Sequence, residues 1–111
     1  MGTTKTEQYS ETQIELASLL KVLGHPARIA IVQALMEAES CVCGELVTEI
    51  ELAQSTVSQH LKELKSVGLI KGTIEGTSVC YCIDKEKWAY LRSVLDTFVS
   101  APLLCNDESC C

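Results

Sequence analysis

The segment from Ser55 to Val67 limits the possible folds more than any other part of this chain. At about 100° per residue, Val57, His60, Leu61 and Leu64 fall on one helical face. Ser55, Ser58, Gln59, Lys62 and Ser66 fall broadly opposite. Gly68 supplies a C-terminal stop. Leu69 and Ile70 lead into Lys71–Ile83, where the pattern changes to period two and turns near Glu75-Gly76. A short amphipathic helix running directly into a hairpin calls for a small, mainly α domain with a β-hairpin.

The flanking segments are helical. Leu16, Leu19, Leu20 and Leu23 repeat at i, i+3, i+4, i+7 and stop at Gly24. Pro26 can occupy a first helical position at no cost, since its missing N–H would be unpaired there. From it, Ile29, Val32, Leu35 and Met36 share a face. Ser40 is a suitable N-cap for a short helix to about Ile50, with Leu46, Val47 and Ile50 inward. Asp84 can cap a last helix carrying Trp88, Leu91, Leu95 and Phe98, ending near Ala101-Pro102. The expected division is a flexible stretch over 1–12, a winged helix-turn-helix domain over 13–101 and a cysteine-rich tail over 102–111. The first and last helices carry apolar stripes beyond what so small a core needs. A helical homodimer interface is their expected use.

Charge is unevenly spread. The 111 residues carry a net −6, yet residues 54–75 alone carry +1, with Lys62, Lys65 and Lys71. A local patch of this kind can meet DNA phosphates while the rest of the molecule disfavours non-specific sites. Small polar side chains at the start of a helix allow close approach to the major groove, and amides read base edges. The candidate DNA contacts are therefore Gln54, Ser55, Thr56, Ser58, Gln59 and Lys62. Lys71, Thr73 and Thr77 join them from the hairpin. His60 and His25 are expected to be structural, the first on the packed face and the second at a helix start. No membrane span is expected, because no apolar run approaches the length required.

Seven cysteines is a high count for 111 residues. The number is odd, the first residues are polar, and a reducing cytoplasm is the expected location, so the thiols are expected as ligands or sensors. Cys41 and Cys43 are expected in the first turn of the helix capped by Ser40. The positive helix end there would favour thiolate. Cys105, Cys110 and Cys111 are candidate partners in the tail. Cys80 and Cys82 share one strand face and are expected mainly to pack.

The sequence resembles the ArsR/SmtB family of metal- and metalloid-responsive winged-helix repressors. The resemblance rests on Leu23-Gly24-His25-Pro26-Ala27-Arg28, on Cys41-Val42-Cys43-Gly44-Glu45-Leu46 and on Ser55-Thr56-Val57-Ser58-Gln59-His60-Leu61. It continues through Leu64, Gly68-Leu69-Ile70, Glu75-Gly76 and Tyr81. It implies a non-enzymatic homodimer that binds a two-fold symmetric double-stranded operator and releases it on binding its effector. No obligatory cofactor is implied. The expected effector is arsenite or antimonite, As(III) or Sb(III), or another thiophilic metal ion, held by Cys41 and Cys43 with a third sulfur from Cys105, Cys110 or Cys111 in the tail or from Cys80 or Cys82 in the wing; the three tail cysteines could also bind an ion alone.

The chain departs from the family in three places. Leu46 stands where arsenite-sensing relatives often have a third cysteine. The hairpin has no arginine. The last helix has no histidine for a zinc or nickel site. A thiol-redox or persulfide sensor of the same fold is a second reading. A cysteine-rich metal buffer is a third, and the helix-turn-helix opposes it.

Overall fold

A computed structural model describes residues 8–38, 41–43, 54–75 and 78–104. Helix α1 spans Glu11–Leu23 and α2 spans Pro26–Glu37. A two-residue strand β1, Val42–Cys43, precedes α3, Gln54–Ser66. Strands β2, Ile70–Glu75, and β3, Ser78–Ile83, form the hairpin, and α4 is Lys85–Val99. The sheet order is β1-β3-β2, antiparallel throughout.

Helix α1 begins with a reciprocal cap that the sequence analysis missed. Gln13 N donates to Ser10 Oγ at 3.1 Å, and Ser10 N donates to Gln13 Oε1 at 2.9 Å. Two N–H groups that a helix start leaves unpaired are thereby satisfied. Glu11 and Thr12 therefore belong to the helix and not to a flexible lead. Helices α1 and α2 meet at a 93° bend at Gly24-His25. Pro26 occupies the start of α2 and His25 caps it, its Nδ1 accepting from Ala27 N at 3.0 Å.

Helix α3 ends in a Schellman motif. Gly68 lies at φ +82°, a left-handed conformation that favours glycine. Gly68 N donates to Lys65 O at 3.0 Å and Leu69 N to Leu64 O at 3.2 Å. The accompanying hydrophobic contact comes from Leu64 and Leu69, both fully buried. Asp84 caps α4 through Oδ1, which accepts from Glu86 N and Lys87 N at 3.1 Å each. Trp88 Nε1 donates to Leu69 O at 2.9 Å, fixing α4 over the end of α3. Lys87 pairs with Glu15 and ties α4 to α1.

The core gathers Leu16, Leu19 and Val22 from α1, Ile31, Val32 and Leu35 from α2, and Val57, Leu61 and Leu64 from α3. Leu69, Ile70 and Leu91 complete it. Three expectations about these stripes change. Leu20 is exposed, and Val22 takes a core place. On α2, Ile29 and Met36 are exposed and Ile31 is buried, because the helix turns its Ile31/Val32/Leu35 edge inward. Leu91 is buried within the chain and so cannot belong to an outer stripe, whereas Phe98 is 63% exposed.

The expected helix from Ser40 to Ile50 is also revised. Val42 and Cys43 are extended and pair with Tyr81 and Cys80 of β3. A β-branched residue between two cysteines suits a strand, and the ladder to β3 satisfies backbone groups that a helix start would leave open. Cys41 and Cys43 therefore do not sit in a first helical turn. Leu46, Val47 and Ile50 lie outside the described residues.

Candidate nucleic-acid interface and thiol site

The inner face of α3 is fixed by burial. Val57 and Leu64 are fully buried, and Leu61 and His60 nearly so. The opposite face therefore has to meet solvent, and Thr56, Ser58, Gln59 and Lys62 are all exposed on it. Gln54 and Ser55 stand in the first turn of the same helix. On the hairpin, Lys71 and Thr73 are exposed, while Thr77 lies outside the described residues. The start of β2 approaches α3 closely. A Cβ at Gly72 would sit 3.3 Å from both Lys65 Nζ and Tyr81 Cε1, so glycine there lets hairpin and helix share one surface. Gln59 Nε2 donates to Glu63 Oε1 at 3.2 Å.

His60 holds α3 to the α1–α2 corner. Arg28 Nε donates to His60 Nδ1 at 3.0 Å, which fixes that nitrogen as an acceptor in a neutral ring. The same guanidinium donates to Val22 O at 3.1 Å, near the C-terminus of α1. The His25 and His60 rings lie 4.6 Å apart, tilted. Burial holds the His60 pKa below its ordinary 6.5, with His25 and Arg28 pushing the same way. Both histidines thus take the structural roles expected of them.

The depressed pKa fixes the sign of a pH effect. The unfolded chain takes up a proton at a higher pH than folded His60 does. The stability from this contact is complete above 6.5 and is lost as pH falls below it. Thermal melts between about pH 7.5 and about pH 5 should show a falling Tm, with a flatter profile in His60→Gln. An equally steep fall in that variant would assign the effect to other groups.

The thiols are arranged on the sheet. Cys41 and Cys82 are joined by a disulfide, with Cα atoms 4.6 Å apart. Cys43 stands in register opposite Cys80, and Cys80 is disulfide-bonded and fully buried. Along β3, Tyr81 and Ile83 pack against the core, as does Val42 from β1. Cys80 and Cys82 alternate with them and occupy the other face. Cys80 is fully buried and counts among the core residues, as expected of a packing residue, and Cys82 is half-buried. On that same face β2 places Lys71 in register with Cys82 and Thr73 with Cys80. A pocket of about 350 Å³, lined by Met36, Ala38, Cys41, Cys82, Ile83 and Lys85 among others, opens beside the disulfide. Cys105, Cys110 and Cys111 lie outside the described residues. Sequence reasoning left the partner of Cys41 and Cys43 open between the tail cysteines and Cys80 or Cys82. The period-two spacing of Cys80 and Cys82 was the available signal for their part in this cluster.

An exposed polar helix face beside a β-hairpin, carried on a small helical core, defines a winged helix-turn-helix. The chain belongs to the arsR family of bacterial regulatory proteins, whose model matches residues 25–71. That family consists of DNA-binding transcriptional regulators and not of enzymes. The chain is 42% identical over 83 residues to the HTH-type transcriptional repressor SmtB of Mycobacterium tuberculosis, a match covering 75% of this chain and 59% of that protein. It therefore spans less than two thirds of that relative's length. A biofilm growth-associated repressor of Xylella fastidiosa is 37% identical, with 78% and 75% covered. The arsenical resistance operon repressor of Staphylococcus xylosus is 33% identical, with 74% and 78% covered. Among solved structures, the homodimeric winged helix-turn-helix DNA-binding domain of a possible ArsR-family regulator from Mycobacterium bovis superposes with a TM-score of 0.63 at 26% identity, covering 88% of this chain and 92% of that one. No single helix among the described residues is long and apolar enough to cross a membrane.

Proposed function

We propose that this chain is a cytoplasmic, homodimeric transcriptional repressor that leaves its operator when a thiophilic species binds its cysteines. The observation that carries the DNA-binding half is the α3 face. Thr56, Ser58, Gln59 and Lys62 are exposed together, with Gln54 and Ser55 in the turn before them. Lys71 and Thr73 extend that surface along the wing, where backbone N–H groups and one lysine take the place of arginine; Thr77 remains a candidate contact from the sequence. The effector half rests on the cysteines. Trivalent arsenic and antimony favour thiolate sulfur, and one relative is an arsenical resistance repressor. Cys41 and Cys43 are the primary ligands in this reading, and the tail cysteines Cys105, Cys110 and Cys111 are candidates for a third. The disulfide between Cys41 and Cys82 favours one further reading, in which oxidation or persulfidation of these thiols is the signal.

An operator-release titration separates the readings. Arsenite, antimonite, cadmium, lead, zinc and a persulfide donor are added to the protein–operator complex in a gel shift. Release by arsenite or antimonite at the lowest concentration supports the first reading. Release by the persulfide donor alone supports the second. Release by none refutes both.

The DNA face has its own test. If Gln59 reads a base, Gln59→Ala costs about 1–3 kcal/mol at one operator position. Lys62→Ala instead weakens all sequences alike and shallows the salt dependence. Equal loss on cognate and random DNA for Gln59→Ala would remove it from base reading.

A further inference from the structure

We propose that the pocket beside the Cys41–Cys82 disulfide is a docking site for a small thiol carrying a carboxylate, and that this thiol opens the bond by exchange at Cys41. The inference rests on the second reading above, in which the state of these sulfurs is the signal, and it names the class of molecule that sets that state. Four observations carry it.

The first is the cavity. About 350 Å³ opens against Cys41 and Cys82, walled by Leu35, Met36, Ala38 and Ile83. Pockets that hold small ligands begin at about 300 Å³, so the space suits a molecule of a few carbons. Met36, Ile83 and Lys85 also line a larger groove of about 790 Å³, which continues along α4 to Trp88 and Arg92 and leaves the pocket open on that side.

The second is charge. Among the described residues lining the pocket, Lys85 is the only charged one, and it is exposed. The carboxylate next to it in the chain, that of Asp84, is turned to the N–H groups of Glu86 and Lys87. A thiol with a carboxylate gains the ammonium as well as the apolar wall. A neutral thiol gains the wall alone, and an amine-bearing one meets repulsion.

The third is the unequal exposure of the two cysteines. Cys41 is exposed and Cys82 is half-buried. Exchange proceeds by attack of a thiolate on one sulfur of the disulfide, and access decides which. Exposure favours Cys41. The fourth is the leaving group. Lys71 stands in register opposite Cys82 on the same face. A neighbouring ammonium favours thiolate over thiol, and a sulfur that forms a stable thiolate leaves faster. Cys82 is therefore the sulfur released.

In the step itself, the incoming thiolate gives its electron pair to Cys41 Sγ and forms a new sulfur–sulfur bond there. The Cys41–Cys82 bond breaks, and its electron pair goes to Cys82 Sγ. One thiolate is consumed and one is produced, so no outside oxidant or reductant enters. Attack by Cys82 in the reverse direction expels the small thiol and restores the internal bond, so the bound fraction follows thiol concentration. Cys41 lies at the start of β1 on the approach to α3, and Cys82 lies on the wing strand β3. Exchange thus removes a covalent link between the two parts that carry the DNA surface.

The test uses full-length protein holding the disulfide, with its free thiols first blocked by iodoacetamide. Mercaptopropionate, mercaptoethanol and cysteamine are added at equal thiolate concentration. Samples are quenched with N-ethylmaleimide, and peptide masses locate each adduct. Rates are divided by those for hydroxyethyl disulfide, which removes intrinsic differences among the thiols. Mercaptopropionate should be found on Cys41 and the maleimide on Cys82. It should react about two- to fivefold faster than mercaptoethanol, the effect of one exposed charge pair, with cysteamine slower than both. The preference should shrink in about 1 M salt and reverse in Lys85→Glu. No adduct on Cys41, an adduct on Cys82 in its place, equal normalised rates for the three thiols, or an unchanged order in Lys85→Glu would overturn the proposal. Gel shifts on the same samples separate the two levels. Selective adduct formation with operator affinity unchanged refutes the signalling reading and leaves the site. A change in operator affinity that follows opening of the disulfide equally with all three thiols refutes the site and leaves the signalling reading.

Discussion

Replacing Leu64 with alanine is expected to lower folding stability by about 2–5 kcal/mol, the range for removing most of a fully buried leucine. Leu64 is fully buried and is one of the two apolar residues in the Schellman stop of α3. Its loss therefore leaves a cavity and also loosens the end of the helix that carries the DNA surface. For a domain of this size such a loss is a large share of total stability. Urea unfolding should show a lower midpoint with an unchanged m-value. Operator affinity should fall at temperatures where the wild type is fully folded. The control is Lys62→Ala on the same helix, which should leave the urea midpoint within about 0.5 kcal/mol while weakening DNA binding. A Leu64→Ala chain as stable as the wild type would show that α3 is held by the hairpin and α4 and not by its own inner face.

That inner face was legible in the sequence because local and tertiary signals agree there. Val57, His60, Leu61 and Leu64 keep the helical period, Gly68 stops it, and all four are buried. The hairpin and α4 were legible for the same reason, through the Glu75-Gly76 turn and the Asp84 cap. Strand β1 was not. Ser40 followed by Gly44-Glu45-Leu46 looks locally like a helix start, and two extended residues have no periodicity of their own. Val42–Cys43 are a strand only because β3, almost forty positions later, offers them a partner. The same non-local pairing hid the contact between Cys41 and Cys82. Period two placed Cys80 and Cys82 on one face, but Val79, Tyr81 and Ile83 are apolar too. The sequence therefore could not say which face met the core. Cys41 and Cys43 were placed in a helical turn, which left their partner open between the tail and the wing, and the strand pairing with β3 replaces that geometry. The Ser10/Gln13 cap was available as Ser-x-x-Gln before an apolar stripe and was overlooked. The edge of α2 that turns inward was a packing choice between two apolar edges, Ile29/Met36 and Ile31/Val32/Leu35. Periodicity alone does not rank them.

Phe98→Glu is expected to turn a dimer into a folded monomer that no longer holds a two-fold operator. Leu20, Phe98 and Val99 are 39%, 63% and 67% exposed on α1 and α4. Between these helices runs a groove of about 590 Å³, lined by Leu16, Ala17, Leu20, Val94, Thr97 and Phe98 among others. So much apolar surface on two adjacent helices suits a second copy of the chain, and the Mycobacterium bovis domain of the same fold is homodimeric. A two-fold dimer held by this face contains two Phe98 residues, one from each chain. Burying a phenylalanine stabilises by about 1.5–3 kcal/mol. Losing two, about 3–6 kcal/mol, weakens the dimer by roughly 10²–10⁴-fold before any cost of burying carboxylates. Phe98 is a better probe than Leu95, because Leu95 also packs against the core and a charge there would confuse unfolding with dissociation. Sedimentation equilibrium should give monomer mass at concentrations where the wild type is dimeric, with an unchanged circular dichroism spectrum. Each half-site then binds alone, the second α3 no longer contributes, and the gel shift on the full operator should disappear at wild-type protein concentrations. A Phe98→Glu chain that sediments as a dimer would move the interface off the α1/α4 face, and with it the assumed spacing of the two recognition helices on DNA.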